Sequence, residues 1–477
     1  MIFLRFIYSV KLTPSLFIAV MLCGCANTSQ VDNSIRSAQV PQDWQLSEKT
    51  LPISDNWFAQ FSQPQLSLLV DEALNINQSL RQEAYDVQIL EQQLVQADAD
   101  FWPELDLSLS TGRSKSTNGG ISNSSSLELE ASYELDIWGK LSAAQKQVNL
   151  NYLAAKAKYQ QDRQTLVANV VTSWFDWIAA KQLSGLFEQR VKNAKQNLDI
   201  IESGYQQGLN GALDVYLSRN ELNTELSNLA QQEATQLQAA RSLERLLGRY
   251  PNASLNSEHL TLPLLTSDIP LGMPSDIISR KPELQASWYQ VLAQDAGLAF
   301  AHRQRFPSIN LRASLTDSGD ELTDLLSGSS LTWSLLGGLT APLFKAGDLK
   351  ANEEIARLRL KQQEQIYLDT LYNAFSNVEN AITTEHSLKQ RYQATLAAQQ
   401  NAAAAETLAF EQYQRGLVTY TTVLEAQGRS FNAQSALIQI KNQLLANRIN
   451  LHVALGGDFA DTKNLQDNKL EDVLINE

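Results

Sequence analysis

The sequence predicts an α+β membrane protein in which long helices carry four two-faced strands and one unit occurs twice. Three observations predict it. First, Leu127–Lys140 alternates almost without error: Leu127, Leu129, Ala131, Tyr133, Leu135 and Ile137 point one way, Glu128, Glu130, Ser132, Glu134 and Asp136 the other. Second, the stretches on either side place apolar residues three and four apart, as helices do. Third, the order of segments in the first half returns in the second at an offset of roughly 204–208 residues, which marks a duplicated unit.

Residues 1–25 carry Arg5 and Lys11 ahead of a short apolar run, Leu12–Leu22, and read as a signal peptide. The run ends in Leu22-Cys23-Gly24-Cys25, which resembles the bacterial lipobox, although Cys23 stands where Ala, Ser or Thr is usual. Cys25 is then the lipidation site, and Ala26 behind it implies sorting to the outer membrane. An ordinary secretory signal is the alternative. Residues 26–62 form a polar tether and an irregular segment holding Trp44, Trp57, Phe58 and Phe61.

The first repeat covers 63–248. A helix over Gln65–Asp100 is stopped by Phe101-Trp102-Pro103. Strands at about 103–112 and 126–137 flank a Gly/Ser/Asn-rich loop, Thr111–Ser126. A helix from Leu141 to about Ser203, a glycine-punctuated turn and a helix over Ala212–Leu247 follow. A linker, 249–281, leads to the second repeat, 282–456. Its helix, Pro282–Arg305, precedes strands at about 306–316 and 331–343 around the loop Asp317–Ser330. A helix from Asp348 to about Arg415 and a last one ending at Gly456 complete it, before a tail, 457–477.

Composition excludes several functions. A net charge of −14 argues against nucleic acid, which needs a basic face. Cys23 and Cys25 are the only cysteines, and His259, His302, His386 and His452 stand far apart without a metal-binding spacing. No nucleophile elbow or phosphate-binding loop occurs, so neither catalytic residues nor a cofactor beyond the lipid is expected.

Geometry then constrains assembly. A two-faced strand of this length suits a half-buried place in a soluble sheet, and, tilted, it also suits a bilayer crossing. In lipid, four strands cannot close, and an open edge leaves backbone groups unpaired at several kcal/mol each. Two chains give about eight strands and a filled interior, whereas three give about twelve and a lumen. The polar positions Asp106, Glu128, Glu130, Glu134, Asp136, Asn310 and Arg312 suit a wet lumen, which favours a trimer. Leu141–Ser203 would span about 95 Å at 1.5 Å per residue. The shorter helices match it if stacked end to end, with a belt of 41–62, 249–281 and 457–477 at the junction. Trp102, Trp138, Phe306 and Phe344 fall at the strand ends nearest the helices, as an interfacial girdle or as core aromatics of the junction.

Four motifs resemble the TolC-like outer membrane factor family, in its efflux lipoprotein branch. They are Tyr133-Glu-Leu-Asp-Ile-Trp-Gly139-Lys140, Pro274-Ser-Asp-Ile-Ile-Ser-Arg280-Lys281-Pro282-Glu283, Phe306-Pro-Ser-Ile-Asn-Leu311, and the paired turns Tyr205-Gln-Gln-Gly208-Leu209 and Tyr413-Gln-Arg-Gly416-Leu417. The resemblance implies a homotrimer with a twelve-stranded barrel in the outer membrane and an α-helical barrel in the periplasm. It implies passive export of drugs or other small molecules from an inner-membrane pump by way of a periplasmic adaptor, the membrane fusion protein. It also implies a gate at Asp214, Arg415, Thr422 and Glu425, where the family commonly has Asp at the last two, and adaptor contacts at Tyr205, Gly208, Leu209, Tyr413, Gly416 and Leu417. A type I secretion channel for polypeptides and a structural lipoprotein tether are the alternatives.

Overall fold

The computed structural model describes residue 35 and residues 39–45, 57–61, 63–117, 119–255, 261–264, 270–325 and 330–457. The signal peptide, Cys25, His259, most of the tether and nearly all of the tail therefore lie outside the described residues.

Two short helices open the chain, α1 (Pro64–Ile76) and α2 (Gln78–Ala99), followed by strands β1 (Glu104–Lys115) and β2 (Ile121–Leu135). Helices α3 (Lys140–Gln206) and α4 (Ala212–Leu246) form the first long hairpin. Then come α5 (Pro274–Arg280), α6 (Pro282–Arg303), β3 (Ser308–Gly319), β4 (Thr332–Thr340), α7 (Asp348–Gln414) and α8 (Tyr420–Ala454). The duplication is strict in the hairpins: α3 and α7 have 67 residues each, α4 and α8 have 35 each.

Two expectations are corrected. The helix expected over Gln65–Asp100 is two helices, because Asn77 takes ψ 122° and caps the second. Its Oδ1 accepts the N–H of Leu80 at 3.0 Å, and its Nδ2 donates to the Leu246 carbonyl at 2.9 Å. Lys281, before Pro282, makes the same break in the second repeat. The loop expected over Thr111–Ser126 is mostly strand. β1 and β2 run on to Lys115 and Ile121, and a tight turn closes them through Ser116 N–H to Gly120 O at 2.8 Å. Serine pairs hold this extension: Ser110 with Ser126 and Ser114 with Ser122, each at 2.9 Å. Small polar residues supply cross-strand bonds as well as turns, so composition misled here.

The chain forms two compact units. One comprises 92–151 and 290–365 and holds the antiparallel sheet, ordered β1-β2-β3-β4. The other comprises the helical residues of 38–91, 152–289 and 366–477. Its core gathers Trp57, Phe61, Leu66, Val171, Phe175, Leu243 and Ile449. The indole of Trp44 donates to the Gly272 carbonyl at 3.1 Å, and Trp57 stacks on His452 at 5.6 Å. The end of α4 abuts the start of α2 through Asn77, and a Cβ on Gly456 would meet the Lys281 nitrogen at 3.1 Å, so α8 ends against the start of α6. Each 35-residue helix thus continues into a 22-residue one.

Candidate channel wall and hairpin tips

The sheet sorts its side chains by face across all four strands. Register aligns Leu107, Leu129, Leu315 and Trp333 in one row, and Leu105, Ala131, Ala313 and Leu335 in the next. The opposite face aligns Asp106, Glu130, Ser314 and Ser334, then Ser108, Glu128, Thr316 and Thr332. Directly paired residues share a face, so period two in each strand becomes a two-sided wall. Arg312 Nε reaches Glu130 at 3.1 Å on the polar side. The apolar rows are open to their surroundings: Leu107 and Trp333 are 69% and 78% exposed. Two residues break the sorting. Leu336 stands in the polar row with Arg312, and Asp317 stands opposite Leu127 on the apolar side, where Ser330 Oγ donates to it at 2.5 Å.

Asp136 does not continue the strand. β2 ends at Leu135, and the Asp136 carboxylate accepts the N–H groups of Leu141 and Ser142 at 2.9 Å each, which caps α3. Burial raises its pKa, but those bonds and the nearby Arg303 outweigh it, so the net shift is downward. The sequence signal was there: an Asp just ahead of a long helical run is an N-cap candidate. Gly139 turns the chain with φ +74°, and Arg303 Nη1 donates to its carbonyl at 2.7 Å.

The four junction aromatics divide. Trp138 stacks on Phe306 with centroids 5.5 Å apart, and its indole donates to the Pro307 carbonyl at 2.6 Å. Trp102 and Phe344 stay exposed. β4 ends at Thr340, so Phe344 follows the strand rather than closing it.

Both hairpin turns are the same device. In the first, Gly208 N–H bonds Tyr205 O at 3.0 Å and Leu209 N–H bonds Gly204 O at 2.8 Å. In the second, Gly416 N–H bonds Tyr413 O at 2.8 Å and Leu417 N–H bonds Gln412 O at 2.9 Å. These paired bonds define a Schellman stop, which needs a left-handed residue, and both glycines have φ +72°. Leu209 and Leu417 project into the open, as does Tyr205. Tyr413 instead turns inward, donating to Asn210 Oδ1 at 3.1 Å and packing against Tyr420. It joins a small core of Ile201, Val215, Tyr420 and Val423 that binds the two hairpins together near their turns. Burial, then the Asp214 carboxylate, raise the Tyr413 pKa, so its hydroxyl remains a donor.

The four expected gate residues are only partly brought together. Asp214 accepts the N–H of Gly211 at 3.1 Å and caps α4. Thr422 lies 3.3 Å from the Thr419 hydroxyl. Arg415 and Glu425 are exposed, and no ion pair joins Arg415 to Asp214 or Glu425 within one chain.

A sheet with one wet and one apolar face, joined to paired long hairpins, is a segment of a membrane channel wall. The chain belongs to the outer membrane efflux protein family, whose profile matches residues 69–249 and 273–457. It is 30% identical to the cation efflux system protein CusC of Escherichia coli O6:H1 (strain CFT073), across 94% of this chain and 99% of that protein. It is 28% identical to the "Probable outer membrane lipoprotein SilC" of Salmonella typhimurium, across 92% and 97%. A crystal structure of CusC superposes with a TM-score of 0.80 at 27% identity, covering 88% of this chain and 97% of that one. The chain is an outer-membrane channel component of an efflux system. Among its described residues no helix is long and apolar enough to cross a membrane.

Proposed function

We propose that three copies of this chain close one twelve-stranded barrel and form a passive export duct for drugs or other small molecules. The observation that carries this is the sheet itself: apolar on one side, polar on the other, with β1 and β4 left as edges. An edge in lipid must be paired, and pairing β4 with the β1 of the next copy continues both faces around a ring. Energy for export comes from an inner-membrane pump, and a periplasmic adaptor docks on the exposed residues of the two turns, Tyr205, Leu209 and Leu417. Asp214, Arg415, Thr422 and Glu425 narrow the tip. Arg415 finds no carboxylate within its own chain, so its partner belongs to a neighbouring copy. Cys25 carries the lipid, in keeping with the name of SilC. Cations are a second substrate class, since CusC is named for cation efflux and the wet face carries Asp106, Glu128 and Glu130.

The test is reconstitution of detergent-extracted protein into planar bilayers beside drug-susceptibility assays of a deletion strain. Stable pores and a susceptibility restored by the native gene are expected. A protein that forms no pore, in a strain whose deletion changes no susceptibility, would overturn the reading.

A further inference from the structure

Inside the first hairpin, well above the turn, lies a buried charge cluster. Arg190 on α3 pairs with Glu225 on α4 at 2.5 Å, and their side chains are only 11% and 3% exposed. The guanidinium also lies 5.0 Å from the ring of Phe187 and 5.1 Å from that of Phe431 on α8. One side chain therefore ties three helices together. Arginine alone combines a permanent charge with a planar face for stacking between two rings.

Packing by itself does not account for the cluster. The long hairpins of the two repeats align without a gap, each bound of α7 and α8 being shifted by 208 from that of α3 and α4. At that shift Arg190 and Glu225 correspond to Ala398 and Ala433, and Phe187 and Phe431 to Thr395 and Asn223. The same architecture is thus built in the second hairpin with none of these groups. A buried ion pair is also a weak stabiliser, which apolar residues often replace without loss. The pair leaves Arg190 Nε and Glu225 Oε2 without hydrogen-bond partners, so it is not optimised for stability. What the cluster does provide is a link to α8, the helix that carries Thr422 and Glu425 two to three turns nearer the tip.

We propose that Arg190 is a positioning residue of the gate, latching α8 through Phe431 to the α3–α4 hairpin. The inference rests on the gate reading above. It is tested on full-length trimers in planar bilayers and by entry of vancomycin, a bulky antibiotic, into cells. Phe431→Leu and Arg190→Lys remove the stacking and keep the apolar volume or the charge. They are expected to raise the resting conductance and vancomycin entry several-fold with trimers intact, while Phe431→Tyr keeps native values. The double variant Arg190→Leu/Glu225→Leu leaves no buried charge unpaired, and it is expected to open the channel as Phe431→Leu does. Arg415→Ala/Asp214→Ala is measured alongside. If that pair opens the channel and the Arg190 and Phe431 variants stay native, the latch is overturned and the gate stands. If the Arg190 and Phe431 variants open it and the tip pair does not, the latch stands and the gate moves away from Asp214 and Arg415. Native conductance in all variants overturns both.

Discussion

His452 shows how much one residue's surroundings decide. It is nearly fully buried and stacks on Trp57, and its Nε2 has no hydrogen-bond partner. Burial first, then the neighbouring Arg448, lower its pKa to about 4. The native ring stays neutral while the unfolded one gains a proton below about 6.5, so stability is full above that pH and falls as pH drops toward 4. The shift is worth about 3 kcal/mol per chain across that window. Melting curves of the native protein and of His452→Phe, taken from pH 7 to pH 4.5, are expected to diverge, the variant losing less. Parallel curves would contradict the assignment. From the sequence His452 was one isolated histidine among four; only its neighbours on other segments make it a buried base. Arg190 is a similar case, since Glu225 and Phe431 lie 35 and 241 residues away along the chain.

At the scale of the element, the strands were legible and their ends were not. Alternation located β2 and β3, because each strand exposes one face to apolar surroundings and period two survives in the sequence. The hairpin between β1 and β2 was hidden by its Ser and Gly content, and the break at Asn77 by the unbroken helical spacing around it. A helix is interrupted there by a cap that serves α4 as well, a long-range bond invisible to a local window. The rows of the sheet give an element-level prediction. Leu129→Arg places a charge in the middle of the apolar rows and is expected to cost about 2–4 kcal/mol in membrane stability. Glu130→Arg, on the opposite face, is expected to insert normally and to shift ion selectivity toward anions. Heat-modifiability on gels and reversal potentials in bilayers measure the two. Equal insertion of both variants would mean that the faces do not divide lipid from water.

At the scale of the whole molecule, the single chain is an incomplete surface. Leu105, Leu107, Trp333 and Leu335 are exposed on the sheet, and Tyr85, Ile89, Ile355 and Leu358 on helices α2 and α7. Exposed apolar area of this extent marks contact with lipid or with another chain. Extraction in mild detergent is expected to yield a particle of three chains. Cysteines placed at facing positions on β1 and β4 are expected to cross-link neighbouring chains. A monodisperse monomer without inter-chain cross-links would refute the closed barrel.

The sequence by itself determined the duplicated unit, the two-faced strands, the glycine stops at Gly208 and Gly416, and the family. Each is written in local periodicity, or in a residue type that a single backbone conformation demands. Tertiary structure decided the pairing of Trp138 with Phe306, the capping duty of Asp136, the shared cap at Asn77 and the burial of Arg190 between two rings. These depend on which distant segments meet, and meeting is fixed by packing across the fold, a property that no short stretch of chain contains.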